Sequence, residues 1–348
     1  MAARFSSLFA IAAFGILFLF SCSTTTNRSS CAGGGIFSML DDSLSIAASC
    51  SSATAEFIRH FGYTETGQPL FYREIVKTAD SLAAVLGNRA KTAAGARAII
   101  DVIYKTWSIG FEPLDTALEA LLPNKIFARK KGACLGVSLI MLMLAEKLHC
   151  PLYGVMLPGH FFCRYDDGLE RFNIEPNKSG YCHDDNYYRN KYLSSNTPSY
   201  DLCNLTKKAS IGVFYYNLGT QCLKRNDPGA AIACFKESKR RCPDFAEAKG
   251  NLALAWVECG NRDSALAAFE ALFAKYPNLV NLAANYGATL MAARQYRKAL
   301  NIYQRGLSFY PSDTALLFGI ARAYQGLGLK DSSRMVQARA YNCNSKPH

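Results

Sequence analysis

Apolar positions along residues 50–130 recur at helical spacing, in SLAAVLG and again in GARAIIDVIYKTW, and Gly87 is placed to stop the first of these helices. From Cys134 to Leu148 the chain is apolar nearly all round, which predicts a helix buried on every side. Gly132 precedes its start, and Cys134 falls in its first turn. The period then drops to two. LYGVML predicts a strand ending at Pro158-Gly159-His160, FFCRYD a second strand and LERFNIEP a third. Asp167-Gly168 is a hairpin signal between the last two. The middle of the chain is therefore expected to be α+β: a buried helix followed by an antiparallel meander.

Beyond residue 209 the pattern becomes periodic at a larger scale. Pro243, Pro277 and Pro311 are 34 residues apart. Twelve positions before each proline stands alanine (Ala231, Ala265, Ala299), and eight before each an aromatic (Phe235, Phe269, Tyr303). Twenty-four before each stands a small residue (Gly219, Ala253, Gly287). Small residues let paired helices approach, the aromatic fills the gap, and the proline ends the second helix. The period and these columns resemble the tetratricopeptide repeat. A fourth unit carries Ala321 and Tyr324 but has Ser333 where alanine is expected, as a capping repeat would. The resemblance implies an all-α solenoid over residues 209–342, with a groove that binds protein partners.

At the N-terminus, Arg4 is the only charge in the first 27 residues, and Leu8 to Phe20 is apolar apart from small residues. Such a stretch is about 20 Å long as a helix, short of a bilayer core of about 30 Å. A basic start, a short apolar run and a small-residue exit form a secretory signal over residues 1–21. Leu19-Phe20-Ser21-Cys22 resembles a bacterial lipoprotein processing site. The resemblance implies that Cys22 becomes the first mature residue, carries the lipid and anchors the chain to a membrane of the bacterial envelope, facing the periplasm. A retained signal anchor and plain secretion are the alternatives. Residues 22–49 follow as Cys22 and a tether whose opening STTTNRSS is polar and aperiodic, as a flexible stalk would be.

Composition sharpens this picture at three points. Half of the 348 residues are apolar and 19% are charged, which excludes a disordered chain. Net charge is +12, and residues 209–348 hold most of it, with 18 Lys+Arg against 9 Asp+Glu. That excess is either a solvated basic face of the solenoid or a surface for acidic protein segments and anionic envelope polymers. Nucleic acid is not expected of an exported chain. Thirteen cysteines without a single CxxC support neither a zinc ribbon nor a thioredoxin-type motif. Some disulfides would fit an oxidising compartment, with a connectivity that sequence does not give.

The candidate chemistry lies in the middle region. A helix N-terminus favours thiolate, so Cys134 is placed as a nucleophile. In a tight hairpin about Asp167-Gly168, residues whose numbers sum to 335 face one another. His160 and Glu175 meet that condition and are expected to be direct cross-strand neighbours. Cys134, His160 and Glu175 then supply nucleophile, base and orienting carboxylate for acyl chemistry. Asn173, two residues from Glu175 on the same strand face, is a candidate supporting residue. Tyr181-Cys182-His183-Asp184-Asp185 has metal-capable groups, but too cramped for a clean site, and is expected to be a polar loop. YYRNKY at 187–192 is expected to be an aromatic flap or packing segment. Lys130 and Lys131 flank Cys134 and are expected to be solvated. No metal or other cofactor is implied.

GACLGVSLIMLMLAEKL, LYGVMLPGHFFCRY and RFNIEPNKSG together resemble a bacterial transglutaminase-like family, within the papain-like group of folds, that is often joined to tetratricopeptide repeats. Its pattern is a KG-x-C-L helix, a PGH-F strand and an acidic residue in an I-D-P or I-E-P strand. Cys134, His160 and Glu175 stand at those positions, with glutamate in place of the aspartate usual in transglutaminases proper. The resemblance implies a papain-like, transglutaminase-like α+β domain over about 50–205. It also implies a thiol hydrolase or acyltransferase acting on the amide bonds of a protein or peptide. Some relatives have lost catalysis, so the alternative is an inactive scaffold that recruits partners through its repeats.

Overall fold

The computed structural model describes residues 70–114, 118–193, 202–279 and 281–344. Cys22, the signal sequence, the tether and the start of the first domain lie outside the described residues. Among the described residues no helix is long and apolar enough to cross a membrane.

Two helices open the described chain. The first, α1 (Leu70–Leu86), stops at Gly87, whose φ of +55° carries the chain into a 3-10 turn over Gly87–Lys91. The second, α2 (Ala93–Asp101), starts where the Thr92 hydroxyl accepts from the Ala94 N–H at 3.3 Å. It runs on into a π turn over Val102–Thr106, leading to β1 (Gly110–Phe111). After α3 (Pro123–Arg129), a short strand β2 (Lys131–Gly132) pairs parallel to β1. It delivers the chain directly into α4 (Cys134–Leu148).

The α4 helix is the buried helix expected from the sequence. Every residue from Leu135 to Ala145 is buried. Its lower end is fixed by two glycines. Gly136 lies so close to the preceding turns that an added Cβ would collide with Ile126 and sit 2.8 Å from the Ala120 carbonyl oxygen. At Gly132 an added Cβ would sit 2.7 Å from Ile126 Cδ1. Ile126 is thus wedged beside the segment that carries Cys134, which explains physically why glycine stands on both sides of the thiol.

Four antiparallel strands follow in chain order: β3 (Leu152–Leu157), β4 (His160–Asp166), β5 (Arg171–Glu175) and β6 (Tyr181–His183). One face of this sheet, with Phe161, Cys163, Tyr165 and Ile174, packs on α4 to form the main core. The other face carries His160, Phe162, Arg164, Asn173 and Glu175. It is covered by α5 (Asp185–Tyr192), whose Tyr188 packs with Val155, Leu157, Phe162 and Leu202.

The sheet departs from expectation in two ways. Its register is not that of a two-residue hairpin: Cys163 pairs with Ile174 and Asp166 with Arg171, so facing numbers sum to 337. The cause is Asp167. Its Oδ1 accepts from the N–H of Leu169 at 2.9 Å and of Glu170 at 2.8 Å, closing a turn over residues 167–170. His160 and Glu175 are therefore diagonal neighbours rather than direct partners. Second, Tyr181–His183 is a fourth strand and not a polar loop. Asp184 then caps α5 by accepting from the Tyr187 N–H at 2.9 Å.

From Lys207 the chain is helical, in four antiparallel pairs: α6 (Lys207–Lys224) with α7 (Pro228–Arg241), α8 (Ala246–Glu258) with α9 (Arg262–Lys275), α10 (Leu282–Ala292) with α11 (Tyr296–Phe309), and α12 (Thr314–Gly326) with α13 (Lys330–Asn344). Each of α7, α9 and α11 ends two residues before its proline. The small and aromatic columns meet: an added Cβ at Gly219 would lie 2.8 Å from the Phe235 ring, and one at Gly287 would collide with Tyr303. Ala231, Ala265 and Ala299 are buried in the same column. Ser333, buried there in the last pair, donates its hydroxyl to the Ala321 carbonyl at 2.9 Å. A polar side chain is thereby satisfied where the other repeats use a methyl.

The repeats are joined to the sheet by more than the chain. The Leu205 N–H donates to the Gly154 carbonyl at 2.8 Å. Ile211, Phe214 and Leu218 of α6 enter the same apolar core as α4. A second core serves the remaining pairs. Among the described residues the ten cysteines form no disulfide with one another.

Candidate active site

Cys134 is the first residue of α4 and is partly exposed. The helix start has no side-chain cap, so its first N–H groups are left to other acceptors. The α4 helix and β4 run side by side, and the Cys163 thiol donates to the Ser138 carbonyl at 3.5 Å. One helical turn earlier, Cys134 comes level with His160, close enough to shift the imidazole's titration.

His160 opens β4, directly after the Pro158-Gly159 turn. Its Nε2 lies 2.7 Å from Glu175 Oε2, with both side chains buried. The second carboxylate oxygen, Oε1, accepts from the Asn177 N–H at 3.0 Å. A carboxylate that only accepts fixes the proton on Nε2, so Nδ1 is the nitrogen free for the thiol. Burial alone pulls the imidazole down, but hydrogen bonds and charge from Cys134 and Glu175 outweigh it and push it up to about 9. Burial raises Glu175 in turn, yet its bond to His160 holds the carboxyl below the usual range. Cys134, His160 and Glu175 are thus brought together in one line.

Aromatic rings wall in the imidazole. Tyr192 stacks on His160 with centroids 4.5 Å apart and planes 3° apart. Tyr188 lies 6.1 Å from the imidazole and stacks on Phe162 at 3.9 Å. The Tyr188 hydroxyl is buried beside the Glu175 carboxylate without a hydrogen bond of good geometry. Water is excluded from this side of the His160–Glu175 bond, which strengthens it. The 187–192 segment is therefore packing around the site, as one of its two expected roles required.

Asn173 does not reach the thiol or the imidazole. Its Oδ1 accepts from Arg164 Nε at 2.7 Å, and its Nδ2 donates to Asp185 Oδ1 at 2.8 Å and to the His183 carbonyl at 3.1 Å. Arg164 is buried on the site face and is the hub of this network. Its Nη2 donates to Asp185 at 2.6 Å and its Nη1 to the Leu202 carbonyl. This group fastens α5 to the sheet. Arg164 went unnoticed in the sequence, although strand alternation places it on the face of His160. Tyr104 was also missed: its hydroxyl donates to the Pro176 carbonyl at 3.1 Å, holding the backbone just after Glu175. Lys130 and Lys131 are exposed beside the site. Among the described residues no group of three or more His, Cys, Asp or Glu is set to hold a metal ion.

Residues 71–204 match the family model of the transglutaminase-like superfamily, and residues 204–346 that of the tetratricopeptide repeat. The chain thus carries a transglutaminase-like domain over residues 71–204, followed by tetratricopeptide repeats over residues 204–346. Over 122 residues, 35% of this chain, it is 26% identical to small glutamine-rich tetratricopeptide repeat-containing protein 2 of Mycosarcoma maydis. It spans 35% of that relative's length. Among solved structures it is similar to MamA (41-end) from Desulfovibrio magneticus RS-1, at 22% identity and a TM-score of 0.36. That match covers 38% of this chain and 75% of MamA. A further crystal structure of MamA matches at 21% identity and a TM-score of 0.36, covering 38% and 78%.

Proposed function

We propose that the transglutaminase-like domain is a thiol acyl-transfer enzyme acting on amide bonds of proteins or peptides. The observation that carries this reading is the buried His160–Glu175 bond at 2.7 Å, set beside Cys134 at the start of α4. Cys134 Sγ, as thiolate, attacks the amide carbonyl carbon. The oxyanion that forms is met by the uncapped N–H groups at the start of α4. The C–N bond then breaks, and His160 gives its Nδ1 proton to the leaving amine. A thioester remains on Cys134. Water or a second amine attacks it, His160 takes the proton back, and the thiolate is regenerated. Glu175 keeps the imidazole oriented throughout and stabilises it in the steps where it carries the proton.

The repeats serve protein interaction, and their shared core with α4 sets any bound partner in a fixed relation to the domain. We also propose that Cys22 is lipidated and holds the protein on a membrane of a bacterial envelope. Support for this is the apolar run before Cys22 and the polar tether after it.

The test uses the full chain and p-nitrophenyl acetate. Acylation of Cys134 predicts a burst of about one equivalent of nitrophenol, with the acetyl group located on Cys134 by mass spectrometry. Cys134→Ala abolishes the burst while leaving the fold intact. A burst that survives in Cys134→Ala, or no burst in the wild type, overturns the reading.

A further inference from the structure

Beside the catalytic line, two positive side chains converge on one phenol. Lys178 ends the 3-10 turn that follows Glu175, and Lys191 lies in the last turn of α5. Both ammonium groups sit 5.3 Å from the centroid of the Tyr187 ring. Lys191 Nζ donates to the Tyr187 hydroxyl at 3.1 Å, and the positive charges of Lys191 and Lys178 both hold that phenol below its ordinary range. Two like charges held together are costly unless a negative group accompanies them. Among the described residues neither makes an ion pair with a carboxylate. Asp185, the acidic residue nearest in sequence to Tyr187, is held by Arg164 Nη2 at 2.6 Å, and Asp184 uses a carboxylate oxygen to cap α5.

The phenol is not free to swing away. His183 stacks on it at 3.7 Å and 7°, pinned by β6 on one side. Tyr188 meets it edge-on at 5.1 Å. The pair of lysines is close to the chemistry. Lys191 Nζ lies 5.1 Å from the ring of Tyr192, and that ring lies flat on His160. The turn bearing Lys178 packs against both α4 and β1. The positive cradle is therefore one aromatic ring removed from the imidazole. An extended peptide advances about 3.3–3.6 Å per residue, so its side chains reach such a place within two residues of the reacting bond.

We propose that Lys178, Lys191 and the Tyr187 hydroxyl form a carboxylate-binding subsite, and that the amide substrate carries an acidic group within two residues of the bond attacked. This rests on the reading of Cys134 as nucleophile. Two ammonium groups and one hydroxyl match the two oxygens of a carboxylate, which the surrounding rings shield from water on one side. The carboxylate belongs either to an acidic side chain or to the free C-terminus of the substrate.

The experiment uses full-length Cys134→Ala protein and calorimetric titration with three peptides: acetyl-Ala-Glu-Ala-amide, acetyl-Ala-Gln-Ala-amide and acetyl-Ala-Gln-Ala with a free C-terminus. The subsite predicts that one or both anionic peptides bind about tenfold more tightly than the neutral one at low salt. Which of them does so identifies the source of the carboxylate. Adding Lys178→Met and Lys191→Met removes the difference. Equal affinities, no binding by any peptide, or a preference that survives the double substitution overturns the subsite. A preference found alongside a wild-type protein that shows no nitrophenol burst leaves the subsite standing and sinks the nucleophile instead.

Discussion

His160 and Glu175 are joined at 2.7 Å although neither faces the other in the β ladder. The β4–β5 register sets Glu175 beside Phe162, and His160 lies two residues further along the same face. Diagonal neighbours in a sheet stand about 7–8 Å apart, a gap that only a long side chain closes. Glutamate, one methylene longer than the aspartate usual in transglutaminases proper, has that reach. Glu175→Asp is therefore expected to break the bond, and His160 should fall from about 9 toward its ordinary value of 6.5. Histidine ring NMR across pH 5–10 measures this directly. A His160 titration unchanged in Glu175→Asp contradicts it.

The same pair makes stability depend on pH. His160 titrates higher in the folded chain than unfolded, so its contribution is complete below about pH 6.5 and is lost as pH rises through 9. Glu175 titrates lower when folded, so its contribution is present above its ordinary value and is lost as pH falls through the lowered one. Urea midpoints should decline between pH 6.5 and 9, and His160→Gln should flatten that limb. Parallel curves for the two proteins over this range would rule the linkage out.

Arg164 is the buried cation that ties α5 to the sheet. Arg164→Met removes the guanidinium from Asp185 and Asn173, leaves Asp185 only the Asn173 amide as donor, and is expected to cost about 3–5 kcal/mol. Arg164→Lys should recover little of it, because one ammonium cannot span Asn173, Leu202 and Asp185 together. Equilibrium unfolding in urea separates the two outcomes. A lysine variant as stable as the wild type would show that the fork geometry is unimportant.

Much of this architecture is legible in the sequence. The all-round apolar run of α4 and the 34-residue columns leave little freedom, because only a buried helix and stacked helix pairs satisfy them. Cys134, His160 and Glu175 were legible as a set. Their exact pairing was not, since Asp167 uses its side chain to lengthen the turn by two residues. Likewise β6 and α5 hide behind polar residues: Asp184 signals a helix cap, but Tyr187, Tyr188 and Tyr192 give no helical stripe. Their order comes from packing on His160 and Phe162. Arg164 was obscured by lying in an otherwise apolar strand, where its partners come from three separate segments.

Gly136 tests how the thiol is positioned. Gly136→Ala drives a methyl into Ile126 and against two backbone carbonyls, of Ala120 and Leu121. The Ala120 carbonyl, which accepts from the Ala133 N–H at 2.8 Å, gives way less easily than a side chain, so the loss should be about 1–3 kcal/mol. Ile126→Ala added to it should restore only part of that. Full recovery in the double variant would mean that the backbone approach plays no role.

The central claim is that His160 activates Cys134, and thiol labelling resolved by peptide mass spectrometry tests it most directly. Iodoacetamide at pH 7 should modify Cys134 faster than Cys203, an exposed cysteine without such a partner. In His160→Ala that advantage should vanish while Cys203 labels as before. If Cys134 reacts no faster than Cys203, or keeps its rate without His160, the Cys134–His160–Glu175 line is not a catalytic one.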